Sequence, residues 1–143
     1  MIVFDANLLI YAYDGGATQH GRARSWVEET FSGTDLVGIP WQAILSFLRF
    51  MTNRRLPGSR FSIDEACEIV DGWLDQPNVR LLAPAEQHWM YLRRVLVEGQ
   101  SSGPLVSDAE IAALTIEHGG VLHTADRDFA RFPGLRWMNP LQK

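Results

Sequence analysis

The sequence predicts an α/β fold built on a central, mostly parallel sheet, and three observations favour it. Short apolar runs such as Ile2–Phe4 and Val121–His123 have the length and composition of buried strands. Longer stretches with helical periodicity separate these runs, so strands and helices alternate along the chain. The 143 residues, 46% hydrophobic and 21% charged, suit one globular domain over residues 1–143 and exclude a disordered chain.

The first part of the chain contains two predicted strands and three predicted helices. We predict strands at 2–4 and 36–39 and helices at 8–13, 18–31 and 40–52. Proline is well tolerated in the first turn of a helix, so Pro40 is expected to open the third helix. Asn53–Arg60, which contains proline and glycine, is the clearest predicted loop.

The second part of the chain contains three predicted helices and three predicted strands. The helices are expected at 62–76, 84–98 and 107–118, and the strands at 79–82, 121–123 and 135–138. Ser62–Glu65 and Ser107–Glu110 each have the sequence of a capping box, so each is expected to begin a helix. The single cysteine, Cys67, lies within a predicted helix and is expected to be a small core residue.

The charge balance argues against a protein that coats nucleic acid. The formal net charge is -4, with residues 1–60 at +1 and residues 61–143 at -5. The longest apolar stretch, Leu36–Met51, contains polar and charged residues, so no membrane span is expected. Met1–Asp5 has no basic leader, and we expect a soluble protein of the cytoplasm.

Several aspartates lie where a parallel sheet binds its ligands, beyond the carboxyl ends of the strands. Asp5 ends the first strand, and Asp126 and Asp128 follow the strand at 121–123. Asp108 lies in the first turn of a predicted helix, where the helix dipole stabilises a carboxylate. Acids gathered at one sheet edge repel each other unless a cation joins them, and carboxylates suit Mg²⁺ or Mn²⁺.

Each aspartate also has a purely structural interpretation. Asp108 is a plausible helix-start residue, and Asp126 and Asp128 are common turn formers. Asp5 is harder to explain in this way, because an acid at the end of a buried strand is costly to desolvate. Asn7 is expected either to bond its own helix start, which we favour, or to orient Asp5. Thr124 is expected either to cap the next turn or to hold a water near the acids.

The chain resembles PIN-domain proteins, and within them the VapC toxin family of bacterial toxin–antitoxin systems. The segments that carry the resemblance are Val3–Ile10, Ser107–Ala113 and His123–Phe129. Two further segments, Phe47–Arg49 and Phe132–Leu141, resemble the branch that is abundant in mycobacteria. The resemblance covers nearly the whole chain, and the order and spacing of the motifs make it specific.

The resemblance implies a three-layer α/β/α sandwich and a Mg²⁺- or Mn²⁺-dependent endoribonuclease. It also implies a homodimer and a small VapB-like antitoxin that covers the acidic site. The residues that match site positions of the family are Asp5, Asp108 and Asp126 as catalytic and metal-binding acids, Asp128 as a further metal-binding acid, and Asn7 and Thr124 as supporting polar groups.

One departure from the family concerns the helix predicted at 40–52. Many members carry a glutamate there, about where Ser46 stands in this chain, and this helix has no acid. Either Glu110 supplies the missing carboxylate, or water takes its place, since Mg²⁺ commonly keeps several waters.

Three arginines of the slightly basic N-terminal part are candidates for binding the RNA backbone. Arg49, Arg54 and Arg55 either contact phosphates or form a solvated helix end. A second functional hypothesis is a non-catalytic PIN-like module that binds RNA or protein without cutting. A third, a Mg²⁺-dependent phosphatase or receiver-like domain, requires a lysine near the acids, yet the only lysine is Lys143.

Overall fold

A five-stranded sheet forms the centre of the fold, which was obtained as a computed structural model and describes residues 1–58 and 60–142. Ser59, within the predicted loop, and Lys143 lie outside the described residues. The strands are β1 (Ile2–Phe4), β2 (Val37–Pro40), β3 (Val79–Leu82), β4 (Val121–His123) and β5 (Trp137–Met138). The helices are α1 (Ala6–Tyr13), α2 (His20–Phe31), α3 (Trp41–Met51), α4 (Ile63–Leu74), α5 (His88–Glu98) and α6 (Leu105–Glu117).

The sheet has the order β3-β2-β1-β4-β5, and every neighbouring pair is parallel. From β1 the chain passes to β2 and β3 on one side, and it then returns to β4 on the other side. The strand order therefore reverses between β1 and β4. In open parallel sheets, ligands bind at this switch point, beyond the carboxyl ends of the two strands.

Helices cover both faces of the sheet, which confirms the predicted three-layer α/β/α architecture. Successive side chains of a strand point to opposite faces, so the fully buried neighbours Val3 and Phe4 enter different cores. Phe4 packs in the core that α1, α2, α3 and α4 form with the sheet. Val3 packs in the core that α5 and α6 form on the other face.

Helix-start signals in the sequence were right at one position and wrong at another. Ser62 accepts a hydrogen bond from the backbone N of Glu65, and the Glu65 carboxylate accepts one from the backbone N of Ser62, so the predicted capping box is present. The second predicted box is absent, because α6 already begins at Leu105. Ser107 is therefore the third residue of the helix, and its side chain has no capping role.

Other differences from the prediction are local. Pro40 ends β2 and precedes α3 instead of opening the helix, and α5 begins at His88 instead of at residue 84. Cys67 is exposed on α4, so its assignment to the core was wrong. A short 3-10 helix at Arg127–Arg131 was not predicted. Within the described residues, no helix is both long and apolar enough to span a membrane.

Candidate functional site

Asp5 lies at the switch point, between the end of β1 and the start of α1. Its side chain is buried, with 8% of the residue exposed. Oδ1 accepts a hydrogen bond of 2.7 Å from the backbone N of Ala6, so the carboxylate caps α1. Oδ2 accepts a hydrogen bond of 2.7 Å from the hydroxyl of Thr124. The carboxylate is thus fixed by one local bond and by one bond across the sheet.

Thr124, directly after β4, connects the two sides of the switch point. Its buried hydroxyl donates to Asp5 and accepts from Asn7 Nδ2 at 3.2 Å and from the backbone N of Asp126 at 3.0 Å. A hydroxyl has one proton and two lone pairs, so all of its bonding capacity is used. Thr124 is therefore a positioning residue, and its bond to the backbone N of Asp126 caps the turn, which is one of the two expected roles.

Asn7 reaches across the site instead of bonding its own helix start, the role that we had favoured. It donates to Thr124, and its Oδ1 accepts a hydrogen bond of 3.4 Å from the backbone N of Ala125. Asn7 therefore holds the segment after β4 against α1. Its effect on Asp5 is indirect and passes through Thr124.

The remaining acids come from the segment after β4 and from α6. Asp126 is half-buried, and its Oδ1 accepts a hydrogen bond of 2.9 Å from the backbone N of Asp128, which caps the 3-10 helix. Asp128 itself is exposed, and Asp108 is half-buried in the first turn of α6. The turn-forming role of Asp126 is thus present, and its other oxygen, Oδ2, has no hydrogen-bond partner among the described residues.

Burial and mutual repulsion govern the ionisation of these acids. Burial raises the pKa of Asp5 from 3.8 to about 6 against the hydrogen bonds from Thr124 and Ala6, and the charges of Asp108 and Asp126 raise it further. Burial also raises the pKa of Asp108, and the charges of Asp126 and Asp128 add to the effect. Asp108 therefore lies within electrostatic reach of the other three acids that the sequence singled out.

Arg131 is a site residue that the sequence reasoning missed. It ends the 3-10 helix, and its positive charge lowers the pKa of Asp108 against the effect of the acids. The spacing of Arg131, three residues after Asp128, was the available signal. It was not recognised because the 3-10 helix was not predicted. In such a helix, residues three apart lie on the same face.

Glu110 does not replace the glutamate that α3 lacks. Its Oε2 lies 2.6 Å from Nε2 of His88 on α5, and the other ring nitrogen of His88 lies 2.9 Å from Oε1 of Glu117. Glu110 is thus committed to a contact between α5 and α6. Ser46 is half-buried on α3, and no hydrogen bond of its side chain to another described residue is present.

Gln42, one helical turn before Ser46, was also missed. Its Oε1 is buried and has no hydrogen-bond partner within the described part of the chain. Because α3 begins where β2 ends, Gln42 lies at the carboxyl-end edge of the sheet. It places a neutral oxygen on the helix that lacks an acid.

The three arginines proposed to bind RNA are exposed and lie apart from these hydrogen bonds. Arg49 is in the last turn of α3 and lines an exposed groove with Leu45 and Ile63. Arg54 and Arg55 follow in the loop after α3. No contact given for the described residues links any of the three to the acids, so their role stays a prediction.

The donor set of the acid cluster has the chemistry that a hard divalent cation requires. Its members supply carboxylate oxygens, which suit Mg²⁺ and Mn²⁺, and no thiolate takes part. Among the described residues, however, no three acidic, histidine or cysteine side chains already form a ready-made metal group. The cluster fits a divalent cation that offsets the repulsion between the carboxylates and keeps water molecules as its other ligands.

The comparisons with known proteins agree on one family. The sequence profile of the PIN domain matches residues 2–135. Over 143 residues the chain is 36% identical to Ribonuclease VapC33 of Mycobacterium tuberculosis, covering 100% of each chain.

Solved structures show the same fold at lower sequence identity. VapBC2 from Rickettsia felis, bound to a DNA fragment from its promoter, gives a TM-score of 0.72 at 16% identity and covers 97% of this chain and 98% of that chain. VapC20 of Mycobacterium tuberculosis, a sarcin–ricin loop cleaving toxin, gives a TM-score of 0.67 at 19% identity and covers 95% and 99%. With the profile match and the full-length identity, the chain belongs to the PIN-domain family and, within it, to the VapC proteins.

Proposed function

We propose that this protein is the ribonuclease toxin of a VapBC-type toxin–antitoxin pair and that it hydrolyses RNA with the help of Mg²⁺ or Mn²⁺. The names of its full-length relatives, which are VapC ribonucleases, support the ribonuclease assignment. The observation that carries the proposal is the buried Asp5 at the switch point, within electrostatic reach of Asp108 and Asp126.

The hydrogen bonds around Asp5 position a reactive carboxylate. Thr124 and Ala6 each occupy one lone pair of Asp5, which leaves a second lone pair on each oxygen. Asn7 and the backbone of Asp126 fix the Thr124 hydroxyl, so Asp5 cannot turn without breaking several bonds. Such rigid placement is what catalysis by positioning requires.

The remaining acids complete the proposed reaction centre. Asp108 and Asp126 would hold the cation by their carboxylate oxygens with Asp128 in support, and Asp126 or Asp128 would orient the attacking water. A bound Mg²⁺ or Mn²⁺ would neutralise these acids, polarise the scissile phosphate and lower the pKa of a water. Hydrolysis adds water across the P–O3′ bond and leaves 5′-phosphate and 3′-hydroxyl ends.

Replacing Asp5 tests the proposal most directly. Asp5→Asn keeps an oxygen for Ala6 and removes the charge, so we expect the protein to fold and metal-dependent RNA cleavage to fall at least a hundredfold. The measurement is the appearance of RNA fragments with Mg²⁺, with Mn²⁺ and with EDTA.

The matched control is Asp71→Asn, which removes one acid from the exposed face of α4. This variant is expected to cleave at the wild-type rate. Undiminished cleavage by Asp5→Asn, or wild-type cleavage that is unchanged in EDTA, would contradict the proposed centre.

A VapB-like antitoxin is the second component of the proposal. Several solved structural neighbours are VapBC complexes, which supports such a partner. We expect the product of the adjacent reading frame to co-purify with this chain and to inhibit cleavage. Failure of the two proteins to co-purify after co-expression would count against the pairing.

The acid cluster also bears on the alternative of a non-catalytic binding module. For a module that only binds RNA, the acids have no benefit. Burial opposes the ionisation of Asp5, and negative charges near the RNA repel its phosphates and weaken binding. The retained acids therefore favour the ribonuclease over the binding module.

A further inference from the structure

A polar cleft of about 230 Å³ opens beside the acid cluster, and the proposed centre makes no use of it. Ala125 forms one wall and lies between Thr124 and Asp126. The buried Leu141 contributes an apolar surface. The polar side chains that line the cleft are Thr18, Gln19, Arg22, Asn139 and Gln142.

The topology places this cleft at the edge of the sheet where Asp5 lies. Ala125 follows the carboxyl end of β4, and Asn139 directly follows β5. Gln19 precedes α2, and Arg22, in the first turn of α2, donates a hydrogen bond of 3.0 Å to the carbonyl oxygen of Leu141. The start of α2 and the C-terminal segment therefore meet over the carboxyl end of the sheet.

The groups facing the cleft are mainly hydrogen-bond donors. Asn139 uses its Oδ1 to accept from the backbone N of Leu141 at 2.9 Å, which leaves its amide NH₂ without a partner among the described residues. Gln19 uses its Oε1 to accept from the Thr18 hydroxyl at 3.0 Å, which leaves its NH₂ available in the same way. Arg22 has five N–H donors, and one of them donates to the carbonyl oxygen of Leu141.

The charge of the cleft contrasts with that of its neighbour. Arg22 is the one charged side chain among the described residues that line the cleft, and none of these residues carries a carboxylate. Asp126, a member of the acid cluster, directly follows Ala125 in the chain. A ligand that lies across both sites would meet N–H donors in the cleft and carboxylates in the acid cluster. A nucleotide chain fits this arrangement if one phosphate lies at a cation held by the acids and the next acceptor groups lie in the cleft.

Size and shape restrict the ligand further. A volume of about 230 Å³ exceeds the roughly 30 Å³ of one water in the liquid but is smaller than the roughly 300–1,000 Å³ of pockets for whole small molecules. None of the described residues that line the cleft is aromatic, so these residues offer no surface for stacking. It therefore suits acceptor atoms at the edge of one nucleotide.

We propose that this cleft, lined by Gln19, Arg22 and Asn139, is a subsite for the RNA nucleotide beside the scissile phosphodiester. The subsite recognises acceptor atoms, either the O6 and N7 edge of guanine or the phosphate of that nucleotide. Guanidinium and amide groups form such bonds to base edges and to phosphates alike. The proposal rests on the proposed ribonuclease function, since it names where that substrate lies.

Two variants of the full-length protein remove N–H donors from the cleft, and the first of them keeps the hydrogen bond that joins Asn139 to Leu141. Asn139→Asp keeps the oxygen that accepts from Leu141 and replaces the NH₂ with a second oxygen. Gln19→Met is a neutral replacement of similar length. We expect affinity for RNA to fall about tenfold in Asn139→Asp and about threefold in Gln19→Met.

Affinity is measured by fluorescence anisotropy in EDTA, so binding is read without cleavage. The probes are a labelled single-stranded decauridylate and the same oligomer with one central guanosine. Recognition of the base edge predicts that the losses are confined to the guanosine probe, whereas recognition of phosphate predicts equal losses with both. Gln76→Glu, which adds a charge at the opposite edge of the sheet, is the control for net charge, and thermal unfolding verifies the fold of each variant.

The outcomes separate the subsite from the reaction centre. Losses no larger than that of Gln76→Glu with either probe would overturn the subsite, even where cleavage with Mg²⁺ or Mn²⁺ depends on Asp5. Absence of metal-dependent cleavage by the wild type would instead contradict the proposed function. Selective losses in EDTA would then still establish the cleft as a nucleotide site.

Discussion

Asp5 illustrates how a single residue can be placed for reaction at the expense of stability. Its carboxylate caps α1 and binds Thr124, yet burial still raises its pKa to about 6. Two hydrogen bonds therefore do not offset the loss of water around the charge, and the neighbouring acids add repulsion. The ionised carboxylate of Asp5 therefore lowers the stability of the folded protein.

We therefore expect Asp5→Asn to stabilise the metal-free protein. The folded pKa of about 6 lies above the ordinary value of 3.8, so stability falls as the pH rises through this window, and the full cost, about 3 kcal/mol, is present above pH 6. Urea unfolding at pH 7.5 in EDTA should show a gain for Asp5→Asn that is smaller than this figure, because the variant amide replaces the oxygen that accepts from Thr124.

Added Mg²⁺ or Mn²⁺ should reverse this ranking, because it stabilises the wild type and not the variant. Asp71→Asn again serves as the control and should unfold like the wild type in both conditions. A difference in stability between wild type and Asp5→Asn that stays constant from pH 4 to pH 7 without metal would show that the charge is not opposed by its surroundings.

The sequence revealed the acids more readily than their partners. Asp5 follows a buried apolar run, a position that local sequence displays directly. The partners of Asn7 and Glu110 lie on distant segments, Thr124 being 117 residues away and His88 being 22 residues away. Local bonding rules favoured a helix-start role for each of these side chains, and tertiary contacts gave both another role.

At the scale of elements, α6 shows why a capping signal misled the prediction. Ser107 and Glu110 have the spacing of a capping box, but Gly103 and Pro104 allow the helix to begin earlier, at Leu105. Glu110 and Glu117 are seven residues apart, about two turns of an α-helix, so both lie on one face of α6. That face holds His88, at the start of α5.

His88 joins α5 to α6 as a charged group. Both ring nitrogens lie within 3 Å of a carboxylate oxygen, and both can donate only when the ring is protonated. Burial by itself lowers the pKa of His88, but the hydrogen bonds and charges of Glu110 and Glu117 raise it above 6.5 overall. The side chain of Glu117 is 6% exposed, so it depends on this cation.

We expect His88→Gln to destabilise the protein by about 2 kcal/mol at pH 6. Because the folded-state pKa is raised, the contribution of His88 is fully present below the unfolded value of about 6.5 and is lost as the pH rises through the folded value. Urea unfolding of wild type and variant from pH 5.5 to 9 should therefore show a difference that shrinks with rising pH.

The matched control is His118→Gln, since the ring of His118 contacts the neutral carbonyl of Ala83. No carboxylate contact of His118 is present among the described residues, so the loss of stability in His88→Gln beyond that in His118→Gln reports the contacts of His88 with Glu110 and Glu117. A difference between wild type and His88→Gln that stays constant across this range would argue that His88 contributes by packing alone.

For the whole molecule, the alternation of apolar runs and helical stretches predicted an α/β fold with a parallel sheet, and the resemblance to PIN-domain proteins implied the three layers. The five apolar runs became five parallel strands, with helices on both faces. The strand order was not derivable from the residues, because similar apolar runs fit several neighbours. Part of the net charge of -4 comes from the acid cluster, since Asp108, Asp126 and Asp128 all belong to the acidic second part of the chain.

The predicted homodimer has a surface that suits it. Trp89, Met90 and Val97 on α5 are 64%, 54% and 65% exposed, and such concentrated apolar exposure is typical of interaction sites. We expect light scattering to give about twice the chain mass of 16.1 kDa, and Val97→Glu to give the mass of one chain.

Glu68→Gln on α4 is the control on another exposed helix and should leave the mass unchanged. A single-chain mass for the wild type at every concentration would contradict the homodimer. A doubled mass that persists in Val97→Glu would place the contact on another surface.

The exposed thiol of Cys67 on α4 makes these assemblies directly observable. It is the only cysteine of the sequence, so a maleimide probe attaches at one known position without any substitution. In a symmetric pair, two spin labels would report a single separation by pulsed electron resonance. The same label as a fluorophore would follow the exchange of antitoxin in real time, in the unmodified sequence.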